Sequence, residues 1–558
     1  MVRPAQRLYD WQDPVAPRLA ATILLLRDHE AGLEVLMTRR SATASFSPGA
    51  FVFPGGTLDP GDRKAAGQWS SGDSDAKPTL PRSARHPDLA PFACAAIREA
   101  FEELGVLLAH SPSGEPIGAH DRARLDRSHD GRLFEQLVSI GARAALDGVH
   151  VLARWITDRD LPRRFDTYFF VARMPEGQVA HADGKEQFEP VWVSPADALA
   201  RNEQGNFRMV FPTVRTLRQL ARFKSVAQVI DHCRAPTPLW TSCPRGGMIG
   251  DRIERFTEDE TAYGELELVI PDGRIMHRLD WQHEKPVALL RNLQRLTAPN
   301  PGRMTGPGTN TYIIGNETSG FLVIDPGPND FAHIARIHGI VGSKLEAIIC
   351  THAHQDHSPG AAPLKSLTGA PILGRPTGPD FNPAWKFTPE RTLHDGDQIR
   401  VGDTTLRVLH TPGHTEHHLC LLMEEDEILL SGDHILNGST TVITPPDGNM
   451  RDYLQSLERL RDERFELIAP AHGHILGRGK FEIDRLIAHR YKRENKVIDA
   501  LMALPGSNLD ELVELAYDDT PRVLYDAAKR SLLAHLLKLR EDGRSECNEA
   551  SGRWTLHH

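Results

Sequence analysis

Paired cysteines are missing from this chain. Six are scattered through 558 residues, at positions 94, 233, 243, 350, 420 and 547, a spacing that excludes a disulfide scaffold and reads as reduced thiols. Long hydrophobic runs are missing too. The longest early one, Leu19 to Leu26, is interrupted by Thr22, and the N-terminus Met1-Val-Arg-Pro-Ala-Gln-Arg7 has no apolar signal core. Both features predict a cytoplasmic protein with no membrane partner. An excess of positive charge is likewise absent. The net charge is −10, which argues against a nucleic-acid scaffold and against an anionic membrane surface, local patches aside. What remains is globular composition, 40% hydrophobic and 25% charged, in a chain long enough for about two to four domains.

Against that background one segment stands out, Thr351-His-Ala-His-Gln-Asp-His357. It gathers His352, His354, Asp356 and His357 at the expected end of an apolar strand, Leu345–Thr351. Imidazole nitrogen and carboxylate oxygen suit a borderline divalent ion such as zinc. In an extended stretch His352 and His354 point the same way, while Asp356 and His357 lie past the turn and can face a second ion. Further ligand candidates follow in order: His414 in His410-Thr-Pro-Gly-His-Thr415, Asp433 in Ser431-Gly-Asp-His434, and His472 in Pro470-Ala-His-Gly-His474. His410, His417, His418, His434 and His474 read as supporting residues. Asp325, before Pro-Gly, reads as a carboxylate that orients a loop.

A second candidate site lies upstream. Arg98-Glu-Ala-Phe-Glu-Glu-Leu-Gly-Val106 places Glu99, Glu102 and Glu103 on one face of a helix over Ala93–Leu108. Three carboxylates at that spacing suit Mg²⁺ or Mn²⁺ with a phosphate completing the shell, and Gly105 is a natural helix stop. A Pro-Gly-Gly turn, Pro54–Gly56, precedes it.

Gly56 together with Arg98-Glu-x-x-Glu-Glu-x-Gly105 resembles the Nudix box of hydrolases that cleave a nucleoside diphosphate linked to another group. Positions 57–97 separate that glycine from that arginine by more residues than the box normally has, and the inserted stretch around Ala65–Pro87, rich in Ser, Asp, Gly and Pro, reads as a surface loop. Asp59 or Asp62 stands in for the glutamate expected midway. The insertion, with Leu36-Met-Thr-Arg-Arg-Ser41 and Arg164-Phe-Asp-Thr-Tyr-Phe-Phe170, looks like the coenzyme A diphosphatase branch. The resemblance implies that Arg98 orients a glutamate, that Glu99, Glu102 and Glu103 hold the magnesium or manganese, and that Glu186 or Glu189 supports the metal or acts as base.

Strands are expected at Ala20–Leu26, Leu33–Met37, Asp166–Arg173 and Glu189–Val193, with Ser194 capping a helix. Residues 236–286 read as a β-rich connector or extension with a hairpin over Glu265–Arg278. Further strands are expected at Tyr312–Gly315, Phe321–Asp325, Leu406–Leu409, Leu419–Met423, Ile428–Leu430 and Leu467–Ala469, with a helix over Asp452–Asp462. After His472 come three expected helices, Asp484–Met502, Leu509–Tyr517 and Arg522–Leu539, and a terminal hairpin, Ser545–Leu556.

His-x-His-x-Asp-His followed by His414, Asp433 and His472 resembles the metallo-β-lactamase superfamily. The three helices and hairpin resemble a winged helix, and the two in this order, with Gly308-Thr-Asn-Thr-Tyr312 and His489-Arg490, look like the lactamase-beta-like endoribonucleases. That likeness implies two zinc ions, or manganese or iron. One is held by His352, His354 and His414, the other by Asp356, His357 and His472, and Asp433 bridges them. The fold class expected is therefore multidomain α/β: a Nudix α/β/α sandwich (1–235), the connector (236–286), an αββα metallo-β-lactamase sandwich (287–485) and a small winged helix (486–558). The function expected is a bifunctional hydrolase, with Arg98, Glu99, Glu186 and Asp356 as candidate catalytic groups. One half acts on a diphosphate such as coenzyme A, the other on a small-molecule ester, a thioester or a phosphodiester. The alternative is a single-stranded RNA endoribonuclease whose Nudix half binds a nucleotide or regulates. The module over 486–558 holds 11 Lys/Arg against 12 Asp/Glu, so RNA contact would fall to the cluster Arg490, Lys492, Arg493 and Lys496.

Overall fold

The computed structural model describes residues 2–43, 47–69, 88–128, 132–378 and 386–557. The chain forms two compact units, Pro14–Pro244 and Met1–Asp13 with Arg245–His558.

In the first unit a mixed sheet runs in the order Trp240–Ser242, Val149–Ile156, Phe165–Arg173, Arg18–His29, Gly32–Arg40 and Phe51–Val52, with Gly55–Thr57 and Gln187–Val193 as side pairings. The apolar run Ile23-Leu24-Leu25-Leu26 explains why both faces are covered. Ile23 and Leu25 pack against the helix Ala90–Leu104, whereas Leu24 and Leu26 pack under Pro195–Glu203, Phe211–Leu220 and Val226–Arg234. Ser194 caps the first of these, accepting the Asp197 N–H at 3.1 Å. Of the expected loop Ala65–Pro87, the first five residues end the helix Pro60–Trp69, and residues 70–87 lie outside the described residues.

The second unit contains two sheets. One runs Val287–Leu290, Leu293–Thr297, Asn310–Asn316, Gly320–Ile324, Leu345–Ile349, Ile372–Gly374, Arg391–Thr392. The other runs Gln398–Val401, Thr404–His410, Leu419–Met423, Ile428–Gly432, Leu467–Pro470. Tyr312, Ile314, Leu322, Ile324 and Ile349 meet Leu406, Val408, Leu419, Leu421 and Leu430 between the sheets. The outward-facing Ile313, Val323 and Ile348 are covered by the helices Phe331–Val341 and Ala361–Thr368. On the other side Leu422, Leu429 and Ile468 are covered by Met450–Asp462 and the start of Gly479–Ala503. This is an αββα sandwich.

The long helix Gly479–Ala503 buries Ile483 and Leu486 in that sandwich and Val497 and Leu501 in the C-terminal core, with Leu509–Ala516, Tyr525–Glu541 and the hairpin Ser545–Asn548 with Arg553–Leu556. The expected boundary at 485/486 thus falls inside one continuous helix. Two other expectations are corrected. Of the two alternatives for residues 236–286, the connector gives way to extensions of the units on either side: Trp240–Ser242 joins the first unit's sheet, and everything from Arg245 packs with the second unit. The expected Glu265–Arg278 hairpin is instead a helix, Tyr263–Val269, and the hairpin of this region is Arg245–Ile249 with Arg252–Phe256. Residues 1–13 also leave the first domain, because Arg3 forks onto the buried Asp426, with Nε 2.9 Å from Oδ1 and an N–H 2.8 Å from Oδ2.

Candidate functional site

Strand ends deliver the ligand candidates of the second unit. The strand Leu345–Ile349 stops two residues earlier than expected, so His352 and His354 lie in the following loop rather than in extended backbone. Thr404–His410 and Ile428–Gly432 lead to His414 and Asp433, and Leu467–Pro470 leads to His472. Gly413, at φ 135°, permits the approach of the His414 turn to a helix: a Cβ there would sit 2.3 Å from Tyr453 Cα.

The outer nitrogens of four imidazoles are fixed by oxygen acceptors. Asp325 accepts the Thr351 N–H at 2.7 Å, the Thr351 hydroxyl at 2.7 Å and His357 Nδ1–H at 2.9 Å. Thr351 has one hydroxyl proton and gives it to Asp325, so it accepts His352 Nδ1–H at 3.0 Å. His414 Nδ1–H donates to the Val442 carbonyl at 2.9 Å and His472 Nδ1–H to the Gly308 carbonyl at 3.2 Å. In each ring Nε2 is left to face inward.

Those inner atoms fall into two groups, His352, His354, His414 with Asp433, and Asp356, His357, His472. Within each group the donor atoms lie within 4.8 Å of one another. His354 Nδ1 is 3.0 Å from His352 Nε2 and 3.1 Å from His414 Nε2. Asp356 Oδ2 is 3.3 Å from both His357 Nε2 and His472 Nε2. Asp433 spans the groups: its Oδ1 lies 3.4 Å from His357 Nε2 and 3.3 Å from His472 Nε2, its Oδ2 3.5 Å from His414 Nε2.

The donor set fits a pair of divalent cations. Among the described residues, His357 Nε2, His472 Nε2 and Asp433 Oδ1 are buried without a hydrogen-bond partner. Leaving such atoms unsatisfied costs about 1–3 kcal/mol each. Burial holds His352 well below its ordinary value and takes His354 to about 3, so both rings are neutral ligands. Burial pulls His357 and His472 down as well, but Asp356 and Asp433 outweigh it. His357 rises well above its ordinary value and His472 reaches about 9. Against the opposing effect of burial, the neighbouring imidazoles keep Asp356 and Asp433 far below the usual carboxylate range. His357 and His472 would release their protons on binding a cation.

The ligand loop Pro470–His474 is supported by residues that the sequence did not reveal. Asn310 Nδ2–H donates to the Pro470 and Gly473 carbonyls at 3.0 and 2.8 Å. Glu265, fully buried on the unexpected helix, accepts His474 Nδ1–H at 3.1 Å, the Ile475 N–H at 3.3 Å and His277 Nε2–H at 3.0 Å, and pairs with the Arg295 guanidinium. Burial works against that charge, yet Arg295 and the two imidazoles hold Glu265 well below its ordinary value. The one available signal was an acidic residue in an apolar helical stretch. His417 and His418 accept the backbone N–H groups of Ala353 and Asp433 at 3.0 and 3.2 Å, supporting rather than joining the ligands. A cavity of about 680 Å³ opens over the centre, lined by His354, Asp356, His414 and Asp433 and also by Met304, Arg303 and Arg530.

In the first unit the glutamates occupy the expected helix, ended by Gly105 at φ 67°, but not an exposed face. Glu99, Glu102 and Glu103 are buried, Glu103 to 1% exposure, because Arg98 and the segment 55–62 roof them. Arg98 forks onto Asp62 at 3.0 and 3.1 Å and donates to Glu99 at 2.8 Å and Glu102 at 2.9 Å. Of the two stand-ins considered, Asp62 therefore meets Arg98, while Asp59 accepts the Gly61 N–H at a helix start. Gly56 has no room for a side chain: a Cβ would lie 2.1 Å from Glu99 Oε1. Glu103 accepts Gln187 Nε2–H at 3.0 Å and the Gly55 N–H at 3.1 Å. Burial lifts Glu99 to about 7 despite Arg98, and burial together with the Glu99 charge holds Glu103 well above its ordinary value. Glu186 is exposed and faces Glu103 only through its charge. Glu189 is paired with Arg39.

The basic cluster expected to touch RNA is largely engaged inside the protein. Arg490 is buried and donates to the Thr441 carbonyl at 2.5 Å, Arg493 to the Ala516 carbonyl at 2.5 Å, and Lys496 pairs with Asp518 and Asp519. Lys492 alone stays exposed without a partner among the described residues.

Comparison with known proteins fits this geometry. Residues 304–472 match the family model of the metallo-beta-lactamase superfamily, and residues 509–554 match that of the beta-lactamase associated winged helix domain. The beta-lactamase-like protein 2 homolog of Drosophila melanogaster is 31% identical over 47% of this chain and 92% of its own length. The Caenorhabditis elegans homolog is 30% identical over 47% and 88%. The atrochrysone carboxyl ACP thioesterase nsrC of Aspergillus novofumigatus is 31% identical over 45% and 79%. Among solved structures, a metallo-beta-lactamase family protein of Thermus thermophilus aligns with TM-score 0.42 at 21% identity, over 48% of this chain and 100% of its own. A NUDIX hydrolase of Alicyclobacillus acidocaldarius aligns with TM-score 0.34 at 28% identity, over 40% and 97%. With a 31% identical relative spanned almost end to end, and with the family's matched segment carrying every inward-facing ligand candidate, the chain belongs to the metallo-β-lactamase superfamily.

Proposed function

We propose that the second unit is a dizinc hydrolase, or its manganese or iron equivalent, that cleaves phosphodiester bonds in single-stranded RNA. The first unit, in this reading, binds a nucleoside diphosphate. The observation that carries the hydrolase is Asp433, whose two oxygens face the two ligand groups. Bound there, the ions would supply Lewis-acid polarisation of the scissile group and a water acidified towards neutrality. Asp325 and Thr351 hold the rings of His352 and His357, and Thr309 donates its hydroxyl to Asp356 at 3.3 Å. Asp356 keeps 26% of its side chain exposed against 12% for Asp433, so we assign it to face the reacting groups. The RNA reading is supported by the winged-helix module, which lends a side chain to the cavity wall. A thioester is the second reading, favoured by the relative named as an ACP thioesterase.

For the first unit, Arg98 holds one oxygen of Glu99 and one of Glu102, an orienting contact that serves nucleotide binding and diphosphate hydrolysis with Mg²⁺ or Mn²⁺ alike. The test is turnover by the zinc-replete full chain of labelled single-stranded RNA, an acyl thioester and, with magnesium, coenzyme A. The controls are Asp356→Asn and Glu103→Gln. RNA cleavage abolished by Asp356→Asn supports the nuclease; no cleavage by wild type at low salt overturns it and leaves the thioester. Coenzyme A hydrolysis lost in Glu103→Gln would make the first unit a diphosphatase rather than a binding module.

A further inference from the structure

We infer that Arg303 and Arg530 form a two-sided phosphate clamp over the metal cavity, binding a phosphate of the substrate away from the bond that is cut. The inference rests on the hydrolase reading and adds the substrate's chemical class to it. Among the residues lining the cavity these two arginines are the cations. Both are exposed, and among the described residues neither has a hydrogen-bond or ion-pair partner. Their neighbours contrast with them: Arg522 pairs with Glu514 at 3.1 Å, and Lys529 is paired with Asp510.

Each arginine is carried by an element anchored independently of the other. Arg303 lies in the loop between Asn300 and Thr309. That loop is closed by the Gly302 N–H on the Gly306 carbonyl at 3.0 Å and by Asn300 Oδ1 accepting the Thr309 N–H at 2.9 Å. Thr309 itself reaches Asp356, so the loop is tied to a ligand. Arg530 projects from the helix Tyr525–Glu541. Ala534 of that helix packs in the core beneath Tyr453 and Leu457, and its end is fixed by Arg451 on Glu541 and on Asp542 at 3.3 and 2.6 Å. A guanidinium offers a planar fork of donors suited to phosphate oxygens. Two unneutralised forks on anchored elements line one cavity, so both can grip a phosphate-bearing ligand held there.

The phosphate has two chemical sources, the backbone of a single-stranded nucleic acid or the phosphates of a carrier such as coenzyme A. The test uses the full chain carrying Asp356→Asn, so that binding is read without cleavage. Its probes are a labelled oligoribonucleotide and coenzyme A, titrated by fluorescence anisotropy and calorimetry. Arg303→Gln and Arg530→Gln should each weaken the true ligand's phosphate-bearing probe by about tenfold. For RNA each should also flatten the log–log salt dependence by roughly 0.7. Arg522→Gln removes the same charge from the same module outside the cavity and should leave affinity unchanged. The probe that responds identifies the phosphate's source. Unchanged affinity in Arg303→Gln and Arg530→Gln, an equal loss in Arg522→Gln, or no binding of either probe to the parent overturns the clamp. Whether the centre hydrolyses at all is tested separately, by wild-type turnover of a phosphate-free thioester and by the metal content.

Discussion

Replacing Asp433 by Asn should empty both metal positions, whereas replacing His472 by Ala should empty one. The substitution keeps the shape of the side chain but removes its charge and turns one oxygen into a donor, which cannot ligate a cation. Asp433 Oδ1 sits 3.3–3.4 Å from His357 and His472, and Oδ2 sits 3.5 Å from His414, so a single change takes the oxygen from one group, leaves the other a neutral amide oxygen, and removes the bridging charge from both. Loss even of a residue that only supports a ligand costs about 10–100-fold in metal affinity. For a direct ligand the upper end is a floor, at about 3 kcal/mol per position. His472, by contrast, belongs to one group. After expression with zinc and dialysis against a weak chelator, elemental analysis should give about two ions for wild type, about one for His472→Ala and well under one for Asp433→Asn. Circular dichroism of each variant checks that the fold survives. Asp433→Asn retaining about two ions, or losing no more than His472→Ala loses, would falsify the bridging assignment.

Glu265→Ala should cost about 3–5 kcal/mol in a urea titration, because it strands the buried Arg295. It should also lower metal occupancy at the Asp356–His357–His472 position more than at the other, since it frees the loop after His472; equal loss at both would refute the positioning. Asn508→Ala removes a capping box with Glu511 and should destabilise the C-terminal module by about 1 kcal/mol, read from the urea midpoint. Burial of His333 lowers it from its ordinary 6.5 to about 4. Its contribution to stability is thus fully present above pH 6.5 and is lost as pH falls through 4, on the order of 3 kcal/mol in all. His333→Gln should flatten that acid limb, and an unchanged pH profile of the urea midpoint would refute it.

The candidate metal centre was legible in the sequence because its ligands sit at strand ends, where short motifs survive as spacing: His352 to His357, then His414, Asp433 and His472. The C-terminal helices were legible as the ranges Asp484–Met502, Leu509–Tyr517 and Arg522–Leu539, which overlap the observed ones, whereas the Asn508 cap emerged only in the fold. Residues whose role depends on what folds over them were not legible. The spacing of Glu99, Glu102 and Glu103 gives one helical face, but not that Arg98 and Asp62 would roof it. Glu265 stands out only as an acidic residue in an apolar stretch, and its partners Arg295 and His474 are set by how its helix packs against the loop after His472. Arg3 and Asp426 are 423 positions apart, beyond any local pattern.

The same limit reverses the reading of the C-terminal charges. A run such as Arg490, Lys492, Arg493 and Lys496 reads as a phosphate-binding surface because spacing carries no information about partners. Folding turns Arg490 inward to the Thr441 carbonyl and neutralises Lys496 with Asp518 and Asp519. The helix bearing them also carries Ile483 and Leu486 in the sandwich core, so the C-terminal module is built into the unit that holds the metal ligands rather than tethered to it. A module fixed in that way has little need of a basic surface of its own. Its position lets Arg530 line the cavity over the metal ligands, where an unpaired guanidinium stands closer to a bound substrate than solvated charges on an outer face. Salt dependence of RNA affinity in this protein should therefore track Arg303 and Arg530 and be indifferent to Lys492. A Lys492→Gln variant with a salt slope as shallow as that of Arg530→Gln would count against this view.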